Sequence, residues 1–380
     1  MDSVSAVADS VIKHQPLGCA KPESLYIKGM FTKTLKLRVR DKHRNELNRQ
    51  ARQVNFVWNY INELSARSIR ERGVFLSAYD IQKYTNGAGK ELGLHSQTVQ
   101  CVSKEYVLRR KQFKKRQLNW RKSKGVRRSL GWIPVNTGAA KFKNGQVFFN
   151  GKYYRVWDSY GLSQYEFRSA SFNEDARGRW YFNVVVTVKP EQSKGTALVG
   201  VDLGCKDAAT ASNGEELTNG EYRKLQQHLG IAQRARKKQR VKAIHAKIAN
   251  RRKDNMHKFT RKLVDSSSAI FVGNVNSKAM VKTKLSKSVL DAGWGSIKSV
   301  LEYKCAIAGI HFEVINEAFS TQSCSCCGSI PTSSPKGRAG LGIRQWTCSD
   351  CGESHHRDIN AARNIAAAGH RRLAEGIPVL

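Results

Sequence analysis

The chain has 380 residues and 40% hydrophobic composition, enough for two or three domains with cores of their own. Sixty-six Lys and Arg against 30 Asp and Glu leave a net charge of +36, far beyond what solubility requires, and point to a polyanionic partner, nucleic acid first. No run approaches the roughly 18 apolar residues of a membrane span, and "MDSVSAVADSVIKHQ" lacks the apolar core of a secretory signal. The expectation is a cytoplasmic protein with reduced cysteines and no membrane association.

Residues 1–27 are polar, contain Pro16 and Pro22, and read as a flexible arm. "FTKTLKLRVR" alternates Leu35, Leu37 and Val39 with basic residues, a strand pattern. Leu47, Val54, Val57, Ile61 and Leu64 then recur at helical spacing, with Asp41 as a candidate cap. A second helix is predicted over 96–124, with Val99, Val102, Tyr106, Phe113 and Trp120 on one stripe, read as core. Between 104 and 128 there are twelve Lys or Arg and one acid, Glu105, a density that repels itself unless phosphates lie near. Arg109, Arg110, Lys111, Lys114, Lys115, Arg116 and Arg121 are the candidate nucleic-acid contacts there.

The period changes to two from about 130 to 190. Asn144-Gly145 and Asn150-Gly151 flank "QVFF", and "KYYRVW" and "RWYFNVVVTV" read as further strands. If the strand at 32–40 joins them, residues 28–40 and 126–192 form a β-barrel-like domain interrupted by a helical insert over 41–125. "KPEQSKG" is the linker to the next unit.

From 196 onward the order is strand, strand, long helices, strand, helix, strand, an α/β pattern. "TALVGVDLG" and "SAIFVGNV" are continuous apolar runs suited to buried strands, and "HFEVIN" is a third. From 222 to 262 there are fifteen Lys or Arg and one acid, Asp254, with Leu225, Leu229, Ile244, Ile248, Phe259 and Leu263 as inward residues of a helical hairpin. Arg236, Lys237, Lys238, Arg251, Arg252 and Lys253 are its candidate phosphate contacts.

Five of the nine cysteines fall between 324 and 351. Cys324-x-x-Cys327 and, after twenty residues, Cys348-x-x-Cys351 are each trailed by a glycine, Gly328 and Gly352. Two thiolates three apart on a tight turn grip half of a tetrahedral site, so one structural zinc is expected, in a ribbon over 320–354. Cys326 is the spare thiol and His355 is not expected to ligate.

Three carboxylates surround the ribbon: Asp202 closing "LVGVDLG", Glu317 ending the strand "HFEVIN", and Asp358 opening "RDINAARNIAAAG". Singly, Asp202 shapes a turn before Gly204 and Asp358 caps a helix. Together, in this order, they form the acid cluster of an RNase H-type nuclease core, which holds two magnesium ions for phosphodiester hydrolysis.

"VGVDLGCKDAATASNG", "ANRRKDNMHKFTRKLV", "LDAGWGSIKSVLEYKCAIAG", "FSTQSCSCCG" and "RQWTCSDCGESHHRDINAARNI" resemble the TnpB family, RNA-guided nucleases of insertion sequences that are similar to compact type V CRISPR effectors and to Fanzor proteins. The resemblance is dense from about 196 to 370 and diffuse before it. It implies an α/β multidomain chain: a β-barrel wedge domain carrying the helical recognition insert, then an RNase H-like (RuvC) nuclease core over 196–319 and 355–370. The zinc ribbon is inserted in that core, and a tail follows from 371 to 380. It also implies a guide RNA (omega RNA), a double-stranded DNA target beside a short protein-read motif, magnesium-dependent cutting, and a bacterial, nucleoid-associated location.

One position departs from the family's pattern. Its second acid usually stands in a phrase like "V-E-N-L-N-x-K-x-M", where this chain reads "VGNVNSKAM" with Gly273 in that place. Either cleavage is lost and the chain is a repressor-like binder, or another carboxylate serves; a compact CRISPR-associated effector is the third possibility. In an RNase H core the first, fourth and fifth strands are parallel neighbours, spaced about 4.8 Å, so a Glu at the end of the fifth reaches much of the gap. Glu317 is there, and some family members resemble this chain in a glutamate relocated just before the ribbon. Glu313, Glu302 and Asp291 are less well placed. His356 stands where the family often has Asp, and Asp358 is taken as the ligand.

Overall fold

The computed structural model describes residues 31–190, 192–219, 223–275, 293–337 and 339–376. The expected arm at 1–27, the last four residues of the tail, and Asp291 with the rest of "LDA" lie outside them. The chain divides into two compact units, Met1–Lys189 and Pro190–Leu380, meeting within the predicted linker.

In the first unit, β1 (Phe31–Arg38) precedes helices α1 (Arg44–Arg72), α2 (Ala78–Thr85), α3 (Ala88–Leu92) and α4 (Ser96–Phe113). Strands β2 (Trp132–Val135), β3 (Lys141–Lys143), β4 (Gln146–Phe149), β5 (Lys152–Tyr154), β6 (Phe167–Glu174) and β7 (Trp180–Val188) follow. The alternation of Leu35 and Leu37 predicts a strand, and β1 joins the β region across the intervening helices, pairing antiparallel with β7, Leu35 opposite Val184 and Leu37 opposite Phe182. The sheet order is β1-β7-β6-β2, and β3-β4-β5 is a separate meander. The meander turns at Asn144-Gly145 and Asn150-Gly151, all four residues having positive φ, as a two-residue hairpin turn of matching twist requires. The two sheets touch through the Val39–Val156 bridge, and no closed barrel forms among the described residues.

Leu35, Leu37, Leu47, Val54, Ile61, Tyr106, Phe172 and Phe182 belong to one core. The helices of 41–125 therefore share their hydrophobic interior with the strands, and the unit packs as one body. Two details differ from the sequence reading. Asp41 does not cap α1; it binds Arg38 from a short 3-10 turn, and the N-cap position is His43. The helix predicted over 96–124 stops at Phe113, with Lys114 left-handed at φ 50°. Beyond it the chain lies along α1, whose buried amides give its backbone partners: Asn62 bonds Leu118, and Asn59 bonds Arg121 at both N–H and carbonyl. Phe113 and Trp120 consequently leave the stripe and are 53% and 48% exposed.

The second unit opens with β8 (Ala197–Asp202), β9 (Asp207–Ala211) and β10 (Glu216–Thr218), then the basic hairpin α5 (Arg223–Arg234) and α6 (Lys238–Ser266). Next come β11 (Ser267–Gly273), α7 (Trp294–Ala308), β12 (His311–Ile315), β13 (Gln345–Thr347), β14 (Ser354–His356) and α8 (Arg357–Ala374). The five-stranded sheet has the order β10-β9-β8-β11-β12, with β8, β11 and β12 parallel neighbours. Val199, Val201, Ile270 and Val272 are buried under Phe259, Leu263, Ile297 and Leu301 of the helices. Leu225, Ile244 and Ile248 close the α5–α6 hairpin. On the sheet, α8 packs against β8 at Gly200, where a Cβ would run into the Ala362 carbonyl. That helix continues to Ala374, past 370, where the tail was expected to begin.

Candidate metal centres and basic surfaces

Parallel β8 and β12 end at the same edge of the sheet, and α8 begins beside it. Asp202 is the last residue of β8, Glu317 follows β12 by two residues, and Asp358 lies in the first turn of α8. The carboxyl of Asp202 is pushed up to about 7 by burial and by the negative charges of Glu317 and Asp358, against the opposing Arg357 and a hydrogen bond from the Leu203 N–H. Asp202 thus has both other sequence-predicted acids as electrostatic neighbours, whereas among the described residues the group whose ligand atoms all lie within 4.8 Å of one another is that of the four cysteines. Burial also raises Glu317, opposed by Lys298 and by the N–H of Val275. The Glu317 N–H reaches the Asn274 side chain at 3.4 Å, and its Oε2 is buried with no hydrogen-bond partner.

Arg344, which sequence reasoning missed, donates Nη1 to both oxygens of Asp358 at 2.8 and 2.7 Å. Asp358 therefore does not act as a cap; its charge is countered by a guanidinium. A buried carboxylate oxygen without a hydrogen-bond partner, beside an acid raised by burial and by its acidic neighbours, leaves acceptor capacity that a metal cation can take. The donor set, carboxylate oxygen throughout, suits a hard divalent cation such as magnesium. For Asp358 to ligate one, Arg344 must yield.

The four predicted cysteines meet, all Sγ atoms lying within 4.8 Å of one another. Cys324 is 3.6 Å from Cys351, and Cys327 is 3.8 Å from Cys348. A tetrahedron with zinc–sulfur bonds of about 2.3 Å has an edge of roughly 3.8 Å, so the set fits zinc without rearrangement. Both knuckles have the same build. Cys324 N–H bonds Ser329 and Gly328 N–H returns to Cys324; Cys348 N–H bonds Glu353 and Gly352 N–H returns to Cys348. Gly328 and Gly352 adopt φ of 79° and 75° to close these turns. Cys326 stays outside the cluster. His355 is buried against Trp346 and approaches Cys324 Sγ at 3.0 Å through Nε2. Asn360 and Asn364 of α8 tie the first knuckle down: Asn360 accepts from Ser325 N–H and donates to the Ser323 carbonyl, and Asn364 donates to Ser320 and Ser323.

Of the predicted nucleic-acid contacts, Lys111, Lys114, Lys115, Arg116, Arg236, Lys237, Lys238, Arg251 and Lys253 are exposed, and Arg252 is half-buried. Arg109 is half-buried and committed to Glu105 and Gln112. Two are corrected. Arg110 is 3% exposed, donating to Ser65 and to the Leu76 carbonyl. Arg121 turns inward to Asn55 and the Leu130 carbonyl, between Trp58 and Trp132. Sequence cannot separate these two from their neighbours by charge; the signal is the buried amides of α1 that receive the following segment.

A second basic surface was missed. Lys36 and Arg38 share the face of β1 opposite its core residues, Arg40 follows two residues beyond the strand, and all three stack with aromatics. Arg40 lies 4.2 Å over Trp157, Lys36 lies 4.3 Å over Tyr181, and Arg38 sits within 6 Å of both rings. The alternation in "LKLRVR" announces the cations, while the aromatic partners come from residues more than a hundred positions away.

Fold and sites together define a two-unit α/β protein with a four-cysteine metal module beside an acidic sheet edge. Residues 294–365 match the family model described as "Cas12f1-like, TNB domain", and residues 181–284 match the IS605 OrfB model described as "Probable transposase". A protein of Streptomyces pristinaespiralis named "Putative RNA-guided DNA endonuclease" is 35% identical over 218 residues, 53% of this chain and 52% of that protein. The Escherichia coli (strain K12) protein named "Putative RNA-guided DNA endonuclease InsQ" is 28% identical over 231 residues, 52% of this chain and 56% of its own. The chain thus spans about half the length of the curated relatives it matches. A cryo-EM structure of a Cas12f1–sgRNA–target DNA complex superposes with a TM-score of 0.51 at 13% identity, covering 89% of this chain and 99% of that one, a likeness of fold. Over these residues the chain is similar to IS605-type transposase proteins, to proteins named TnpB-like and to Cas12f1.

Proposed function

We propose that the chain is an RNA-guided DNA endonuclease whose cutting centre is the edge formed by Asp202, Glu317 and Asp358 on an RNase H-like (RuvC) sheet. The convergence of these three acids at the ends of β8 and β12 and the start of α8 carries the reading. Relatives named for this activity, each matched over about half of this chain, support it.

Two magnesium ions held by the three carboxylates would supply the Lewis acid for phosphodiester hydrolysis. The residues' own contributions follow from the geometry. Leu203 N–H and Val275 N–H hold Asp202 and Glu317 at the edge, and α8 brings Asp358 to them. Arg344 and Arg357 place guanidinium charge beside the acids, where a scissile phosphate would meet it. The four cysteines would hold one zinc, whose role would be structural, and Asn360 and Asn364 tie the first knuckle to the helix that carries Asp358. The wedge and recognition roles fall to the strands and helices of the first unit. The exposed basic positions of α4 and of the α5–α6 hairpin take guide and target backbones, and a short flanking motif is read by protein. The site of action is the bacterial nucleoid.

The test is purification with co-expressed RNA, sequencing of that RNA, and incubation with a randomised-flank target library in magnesium. Guide-matched DNA is cut, and Glu317→Gln stops cutting while target binding persists. Target binding by the parent without any cleavage would establish the repressor-like alternative instead, and a guide transcribed from a repeat array would establish the CRISPR-associated one.

A further inference from the structure

Gly273 ends β11 in register with Ile315 of β12, and its φ lies outside the left-handed region, so its backbone does not need glycine. Glycine weakens a strand relative to alanine and often marks a place where something approaches closely. Here the approaching group is identifiable. A Cβ on Gly273 would collide with Oε2 of Glu317 and would stand 3.3 Å from both Cβ and Cδ of that side chain. Glu317 therefore lies across the space that a side chain at 273 would occupy. The contrast with Gly200 is informative, because there the empty space receives the backbone of a packed helix.

We propose that Gly273 is a positioning residue: its missing Cβ is the seat that holds the Glu317 carboxylate at the sheet edge beside Asp202. Positions 273 and 317 then supply one carboxylate between them, and a side chain at the first excludes the carboxylate of the second. This rests on the reading of Glu317 as a cation ligand. The atom in the way is the far end of a flexible side chain, so alanine at 273 displaces Glu317 toward solvent without unpairing the strand. Folding should survive and the ligand should not.

The experiment measures Mn²⁺ binding to the zinc-loaded full chain by electron paramagnetic resonance, alongside thermal unfolding and cleavage. Gly273→Ala should melt near the parent temperature yet bind Mn²⁺ about tenfold or more weakly, the size expected when a ligand's support is removed. The double variant Gly273→Glu with Glu317→Ala should bind better than either single variant, because the transplanted carboxylate enters the vacated space. If Glu317→Gln weakens Mn²⁺ binding but Gly273→Ala does not, the seat is refuted and Glu317 remains a ligand. If Glu317→Gln binds as the parent does, the ligand reading itself fails. Should Gly273→Ala not fold, the double variant decides: no recovery over Glu317→Ala overturns the seat.

Discussion

Arg344 and Asp358 form a single-nitrogen clamp, Nη1 of the arginine bonding both carboxylate oxygens at 2.8 and 2.7 Å. The clamp joins the entry of ribbon strand β13 to the first turn of α8, so one contact connects the cysteine module to the acidic edge. It opposes cation binding at Asp358, yet it also keeps a positive charge where phosphate must arrive. Arg344→Ala should therefore leave Mn²⁺ affinity equal to or above that of the parent while lowering the cleavage rate by roughly 10²-fold, the range seen when one preorganised charge is removed. Weaker Mn²⁺ binding in the variant would show that the arginine supports the site rather than competing for it.

Asp202 gives the cation-free protein a signed pH dependence. Its carboxyl sits at about 7 in the fold against an ordinary value of 3.8. Between those pH values the folded state keeps a proton that the unfolded chain has lost, so this group's contribution to stability falls as pH rises from about 4 to about 7. The span is worth on the order of a few kcal/mol, at about 1.4 kcal/mol per pH unit, less for the coupling to Glu317 and Asp358. Melting in a magnesium chelator at pH 5 and pH 8, parent against Asp202→Asn, isolates it: the loss at pH 8 relative to pH 5 should be smaller in the variant. Magnesium should stabilise the parent more at pH 8 than at pH 5. Equal pH dependence in the two proteins would remove the proposed charge crowding.

The cysteine module predicts a graded response. Cys348→Ser removes a buried ligand and should leave the chain with substoichiometric zinc and a lower melting temperature, since a ribbon with a core of Cys324, Cys348 and Trp346 depends on its metal. His355→Ala instead removes a partner of Cys324 Sγ. One zinc per chain should remain, with affinity reduced about tenfold. Competition with a chromogenic chelator measures both, and full loss of zinc in His355→Ala would make the histidine a ligand.

The acids and the cysteines were legible because each depends on local spacing: a strand end, a helix start, a pair of thiols around a turn. That β1 is a strand was equally legible from the alternation of Leu35, Leu37 and Val39, while its partner β7 was not. The rest is set by contacts distant in sequence. Arg344 looks like any loop arginine until the ribbon folds it onto α8, and the aromatic partners of Lys36 and Arg40 arrive from β7 and from Trp157. The helix expected to reach 124 ends at 113 because Asn59 and Asn62 of α1 offer the following backbone better partners than another helical turn. Barrel closure depended on strand order, which no local pattern encodes.

The same contrast separates arginines that hold the protein together from cations free to hold nucleic acid. Arg121 donates to Asn55 and Leu130 from a half-buried position, and burial brings its guanidinium down to about 10. Arg121→Ala strands two acceptors and should cost about 2–4 kcal/mol of stability, read in urea, with Arg110→Ala behaving alike. Lys114, Lys115 and Arg116 stand exposed in the segment after α4. Replacing all three by alanine should leave the urea midpoint nearly unchanged. It should reduce the slope of log affinity against log salt for guide RNA by about 2–3, nearly one per lost phosphate contact. A stable triple variant with an unaltered salt slope would take this tract out of the RNA interface and leave the Lys36–Arg40 surface as the stronger claimant.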